Sequence, residues 1–328
     1  MIWTPIIQAK HRLMLNQRSK KMNTPASYRK LIFEKIPEGS IIPRHTKDGH
    51  FYEVVPVGKV FTSVTTKLQV LKDESLTNYK MNRALDYVFA NYKKISDETV
   101  MEILSVAKEQ SGIILRDAGD IGTAIHEYRE NYFNDWIKAG IRPADARAYI
   151  PPHQTDPRAI SGMRALEKFV VEKGYTPIVS EQLVYDAKFE VAGTLDDIGL
   201  MRKEIRPPSP GCECQVMTDK KGVTRCFKCD WKYKEELVLM DLKTSNQFKD
   251  HYFFQVAMYF MMFIKLTGLK PKRCFILKVS KEDGSYKIEE LRQFGKLVGY
   301  AKSMLKTNQA LDFIRSIRKD NQKVVLTI

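Results

Sequence analysis

Two stretches decide the fold: SEQLVYDAKFEVAGTLDDIGLM at residues 180–201 and ELVLMDLKTS at residues 236–245. The first reads as two strands joined by a turn, rich in β-branched and aromatic residues. The second is a strand whose apolar run is too continuous for one solvated face, so burial on both faces is expected. KRCFILKV at 272–279 is a further strand, and GHFYEVVPVGKVFTSVTTKL at 49–68 reads as a short hairpin. Between and around them the apolar period becomes helical. Helices are expected over 75–110, where Asp97 is placed to cap the turn into Val100, over 119–136, and over 158–173, which Gly174 ends. His251 to Leu266 is a strongly apolar helix, and 293–318 a helical tail. Helices around a central mixed sheet make an α/β fold.

Polar residues interrupt the apolar strands at two places. Strand side chains alternate, so Asp241 and Lys243 share one face while Met240 and Leu242 take the other. An acid and a base inside an apolar strand are costly to bury unless paired or metal-bound. Gly193-Thr194-Leu195-Asp196 brings a second carboxylate to another strand, beside a glycine that permits close approach. Asp197, next along, is expected to point to the opposite face. By itself Asp-X-Lys is also what a structural salt bridge at a strand end looks like. Phosphodiester hydrolysis uses the same groups. A hard cation such as Mg²⁺ needs only one or two carboxylates besides water and substrate phosphate. A neighbouring lysine can orient or deprotonate the water, and can stabilise charge on the phosphorane-like transition state.

The chain carries 54 Lys and Arg against 39 Asp and Glu, a net +15, which favours a polyanionic partner. The alternative is a basic protein that merely stays soluble. The first residues, MIWTPIIQAKHR, lack a signal-peptide pattern, and the longest apolar run, Val256 to Ile264, is far too short to span a bilayer. A cytoplasmic, membrane-free setting is the expectation. Residues 1–45, basic and without a clear period, read as an arm or a loosely packed helix.

Four segments in order resemble the RecB-type branch of the PD-(D/E)XK nucleases, which includes phage exonucleases, CRISPR-associated RecB-like nucleases and the mitochondrial genome-maintenance exonuclease. They are Ser63-Val64-Thr65-Thr66 after the hairpin; Gly119 to His126, similar to that family's Gly-Thr-x-x-His helix; Glu181 with Val191 to Asp196; and Asp241-Leu242-Lys243-Thr244-Ser245 followed by Gln255 and Tyr259, similar to a Gln-x-x-x-Tyr helix. Each is weak alone, and their order makes the signal specific.

The resemblance implies a restriction-endonuclease-like core over 46–328. It further implies Mg²⁺ or Mn²⁺ held by His126, Asp196, Asp241 and the Leu242 carbonyl, Lys243 as the catalytic lysine, and Glu181 supporting the site. Gln255 and Tyr259 would position DNA or the lysine, or would be core polar residues that satisfy each other. His126 has the bland alternative of a packed or surface histidine. A zinc-protease reading fails because position 130 is Glu. The implied activity is a DNA nuclease, an exonuclease of replication, recombination or repair, with a phage as the implied source. A structure-specific or CRISPR-adaptation-like endonuclease, or a non-catalytic nucleic-acid binder that keeps the fold, are the alternatives.

One segment departs from that family. Residues 207–230 form an insertion in which Cys212-Glu213-Cys214 precedes Cys226-Phe227-Lys228-Cys229 by eleven residues. Two close pairs across a short loop match a small four-thiolate zinc ribbon, structural because it leaves no open position. The insertion follows the Asp196 strand and precedes the Asp241 strand, so its base is expected near the cleft. Cys274, within an apolar strand, reads as a buried hydrophobe.

Overall fold

The computed structural model describes residues 24–325 apart from 47–48, 72–73, 220–221 and 246. The chain runs α1 (Pro25–Lys35), β1 (Ile41–Thr46), β2 (Gly49–Val54), β3 (Lys59–Ser63), α2 (Val64–Leu68), α3 (Glu74–Ala90), α4 (Val100–Ala139), α5 (Pro157–Lys173), β4 (Tyr175–Asp186) and β5 (Val191–Arg206). It continues with β6 (Val216–Thr218), β7 (Val223–Cys226), β8 (Lys232–Lys243), α6 (Asp250–Thr267), β9 (Arg273–Val279), β10 (Tyr286–Glu290) and α7 (Phe294–Val325).

All ten strands join one mixed sheet. Its centre is β4-β5-β8-β9-β10, with β8 and β9 parallel and the other neighbours antiparallel. The free edges of β5 and β8 each take a second partner further along. β3 runs parallel to β5 at Thr62↔Val191 and carries β2 and β1. At the other end β7 pairs with β8 at Thr224↔Tyr233 and carries β6.

Side-chain alternation feeds two cores. Leu237 and Leu239 of β8, with Cys274 and Ile276 of β9, meet α6, α7, α1 and α2. Val238, Met240 and Leu242, with Phe275 and Leu277, meet α4 and α5. The double-sided burial expected of 236–243 is therefore present, and Cys274 is the buried hydrophobe that its strand suggests. Covering both faces of a sheet with helices is what makes near-continuous apolar strands stable.

Three expectations need correction. The stretch before residue 46 is not all an arm. Thr24 caps α1 by accepting from the Ser27 amide, Ile32 is fully buried, and Ile41 begins the sheet. Arg29 fastens α1 by donating to the carbonyls of Ile178 and Ile137. Only one apolar turn is buried among many cations, which is why the period was faint; residues 1–23 lie outside the described part. Next, α4 is one helix of 40 residues, spanning both the end of the first expected helical region and 119–136, so its glycines do not break it. It starts behind Thr99, whose hydroxyl bonds back to the Lys94 carbonyl, and not behind an Asp97 cap. Finally, β10 was not legible. It is a five-residue strand, Tyr286 to Glu290, with three charged residues, on the sheet margin.

Candidate active site

The site forms where β5 parts from β8. Their pairing ends at Asp197↔Met240. Beyond that point Asp196 Oδ2 takes the place of a ladder acceptor and receives the Leu242 N–H at 2.6 Å. The other edge of β5 is also irregular here. β4 pairs Ser180 with Asp197 and Gln182 with Leu195, and leaves Glu181 and Asp196 out of the ladder. Glu181 has φ 51°, a left-handed conformation that costs a non-glycine residue about 1 kcal/mol. Leu195 and Ile198, three apart, both feed the α6-side core. Asp196 and Asp197 consequently turn together toward α4, so the expectation that Asp197 takes the opposite face is wrong. Breaks of this kind re-aim side chains beside functional sites.

α4 supplies the opposite wall. A Cβ at Gly122 would lie 3.0 Å from Thr244 Oγ1, so glycine lets the helix rest against the end of β8. One turn on, His126 faces the strands. Ligand atoms of His126, Glu181 and Asp196 all lie within 4.8 Å of one another. They line a groove of about 440 Å³ together with Gly119, Gly122, Glu130 and Thr244. Asp241 is not among these three. It is fully buried on the α6 face, and the Lys243 ammonium lies 2.8 Å from its Oδ2. Its Oδ1 is buried without a hydrogen-bonding partner among the described residues. Lys243 also lies under the Tyr252 ring, 5.0 Å from its centroid.

Arg129, missing from the sequence-derived set, is the hub. It lies one turn after His126, is fully buried, and its guanidinium pairs with Glu181 through Nη2. Its Nη1 lies 3.2 Å from Asp196 and 3.3 Å from Asp197. One signal for it existed. Position 129 falls on the apolar stripe of Ile121, Ile125, Tyr128 and Tyr132, where a cation needs a reason.

These neighbours set the charges. Burial pushes the His126 imidazolium down to about 4, partly countered by Asp196, so the ring is neutral near pH 7. Burial raises Glu181 to about 7 against the pull of Arg129. Burial likewise raises Asp241 to about 6 against Lys243. For Asp196 burial also acts upward, but Arg129, His126, Lys243 and the Leu242 amide outweigh it and hold the carboxyl below its usual range. Burial acts to lower Lys243, and Asp241 with Asp196 more than reverses this, so the lysine stays charged.

Gln255 donates to Tyr259 Oη at 3.2 Å. Both are buried, and they satisfy each other. The Tyr259 ring covers Gly193: a Cβ there would lie 2.8 Å from Tyr259 Cε1 and 3.3 Å from Val64 Cγ2. Ser63, which caps α2 by accepting from the Thr66 amide, sets Val64 in that contact. Gly193→Ala is therefore expected to cost about 1–3 kcal/mol by overpacking. Denaturant unfolding of the variant measures it, and an unchanged midpoint would refute the close approach.

The four insertion cysteines also converge. Sγ of Cys212 and Cys226 lie 3.9 Å apart, Cys214 and Cys229 3.6 Å, and all four lie within 4.8 Å of one another. A disulfide is close to 2 Å, whereas tetrahedral thiolates at the usual zinc–sulfur distance sit about 3.8 Å apart. The amide of Lys228 donates to Cys226 Sγ and that of Trp231 to Cys229 Sγ. The insertion leaves from the opposite end of the sheet to the groove. Lys232, where β8 begins, is nine residues from Asp241, about 30 Å along a strand. Its base is not near the cleft, because β5 and β8 are long and carry it away.

No family model and no curated protein matches the chain. Among solved structures, one titled "Crystal structure of SSO0001" aligns at 12% identity over 56% of this chain and 74% of its own, with a TM-score of 0.22. A score that low carries no argument about fold or function. No helix among the described residues is long and apolar enough to cross a membrane.

Proposed function

We propose that the chain is a metal-dependent DNA nuclease of the RecB-type PD-(D/E)XK class. The convergence of His126, Glu181 and Asp196, drawn from a helix and two strands, beside the buried Asp241–Lys243 pair carries this reading. The donor set fits Mg²⁺ or Mn²⁺: one imidazole nitrogen and two carboxylate oxygens, all within 4.8 Å of one another. His126, Glu181 and Asp196 would hold the cation, with the Leu242 carbonyl beside them, and Asp241 would instead anchor Lys243. When bound, it would polarise a phosphate and lower the pKa of a water.

The protein's own groups do the rest. His126 lines the groove and presents a ring nitrogen to Glu181 and Asp196. Lys243 is fixed between Asp241 and the Tyr252 ring. A cation fixed there can stabilise charge developing on the phosphate oxygens or orient the attacking water. Asp241 limits where the ammonium can go. The net +15 supports a polyanionic substrate.

End-labelled linear DNA and closed circular DNA, incubated with Mg²⁺ or with chelator, test the reading. Metal-dependent trimming of ends supports an exonuclease. Nicked circles support the endonuclease alternative. Retardation without cleavage in any divalent metal leaves only the binder. Lys243→Ala is expected to lower the cleavage rate by about 10²–10³. A variant with wild-type rate would remove the lysine from the chemistry.

The second site is proposed as a structural zinc held by Cys212, Cys214, Cys226 and Cys229. The matched sulfur spacing and the amide donors to two of the sulfurs support it.

A further inference from the structure

Arg129 engages one oxygen from each of two groove-lining carboxylates. Its Nη2 donates to Glu181 Oε1. Its Nη1 lies 3.2 Å from Asp196 Oδ2, the oxygen that also accepts the Leu242 N–H. Among the described residues no donor reaches Glu181 Oε2 or Asp196 Oδ1. The guanidinium cannot move aside easily. It is fully buried, and the fully buried Asp197 carboxylate also lies 3.3 Å from Nη1.

The geometry points to Arg129 as a positioning residue that makes Glu181 and Asp196 one-oxygen ligands and so selects a small octahedral cation over Ca²⁺. The inference rests on the metal-site reading proposed above. Ca²⁺ takes 6–8 oxygens and commonly binds carboxylates through both. Mg²⁺ and Mn²⁺ are content with few protein ligands and retain water. A carboxylate whose second oxygen is held by a rigid fork cannot rotate to bidentate binding without breaking a buried ion pair. Lysine keeps the charge but is a point donor, without two planar N–H edges to hold two carboxylates at once.

The test is direct titration, with Mn²⁺ and with Ca²⁺ at pH 8 by calorimetry, of protein that keeps its insertion zinc and carries no other divalent metal, using Asp196→Asn to subtract binding elsewhere. Wild-type protein is expected to bind Mn²⁺ at least about tenfold more tightly than Ca²⁺, and Arg129→Lys to narrow that ratio about tenfold. Arg129→Met combined with Asp197→Asn removes the cation together with one of its three acids, and is expected to narrow the ratio as well. A merely structural arginine would weaken both metals alike and leave the ratio unchanged. Wild-type protein that binds Ca²⁺ as tightly as Mn²⁺, or folded variants that keep the wild-type ratio, would overturn the inference. Wild-type protein that binds neither metal would instead overturn the metal site itself.

Discussion

Replacing Asp196 with asparagine is expected to lower metal-dependent cleavage by about three orders of magnitude or more while leaving the fold in place. The loss follows from geometry. Asp196 is the residue common to the three-ligand cluster, the Arg129 hub and the Leu242 amide. An asparagine carbonyl can still accept from Leu242, so the split between β5 and β8 keeps its closure. The missing negative charge is what a hard cation needs, and several kcal/mol of charge stabilisation are at stake. Initial rates on labelled DNA, beside a thermal melt of the same sample, measure both parts. Near-wild-type rates in Mg²⁺ would refute the assignment of Asp196.

The other large effect is expected at the far end of the sheet. Cys226→Ser should release one zinc per chain and unfold residues 207–230 while the sheet survives. The insertion has almost no core of its own. Val216, Met217 and Phe227 are exposed, Phe227 to 67%, and Thr224 is buried by its contact with β8. Metal binding therefore has to supply the folding energy, and structural zinc sites of this type are worth about 10–16 kcal/mol. Elemental analysis counts the metal. Amide exchange should show 207–230 losing protection while 237–242 of β8 keeps it. Cleavage should stay within a few-fold of wild type, because the groove is about 30 Å away. Iron in place of zinc, or no metal at all in protein purified without additions, would contradict the account. A cleavage rate that falls with the zinc would mean the two ends of the sheet communicate.

How much of this was legible in the sequence depended on which physical signal each residue carries. Strands 180–201 and 236–243 declared themselves through period and composition, because burial on two faces leaves little freedom in residue choice. His126, Glu181 and Asp196 could be picked out individually, and the structure gathers them. Asp241 and Lys243 were expected to share a face, and they do, as a buried ion pair. The arrangement of the acids was less legible. Simple alternation assigned Asp196 and Asp197 to opposite faces, and the irregularity opposite Glu181 turns both toward Arg129. Pattern reading cannot anticipate a backbone break carried by a glutamate with positive φ. Glu181 consequently enters the ligand cluster that it was expected only to support. Arg129 escaped because one basic residue on a long helix is ordinarily solvated, and only its place in the stripe marked it. The insertion's position escaped because spacing along the chain says nothing about which end of a 16-residue strand the chain leaves from.

The central claim is that a divalent cation sits among His126, Glu181 and Asp196. Crystals grown with Mn²⁺, with diffraction recorded at the manganese absorption edge, test it most directly. The account predicts an anomalous peak about 2–2.3 Å from a His126 ring nitrogen and from one oxygen each of Glu181 and Asp196. No peak in the groove, or a peak only at surface carboxylates with these three side chains unchanged, would contradict it.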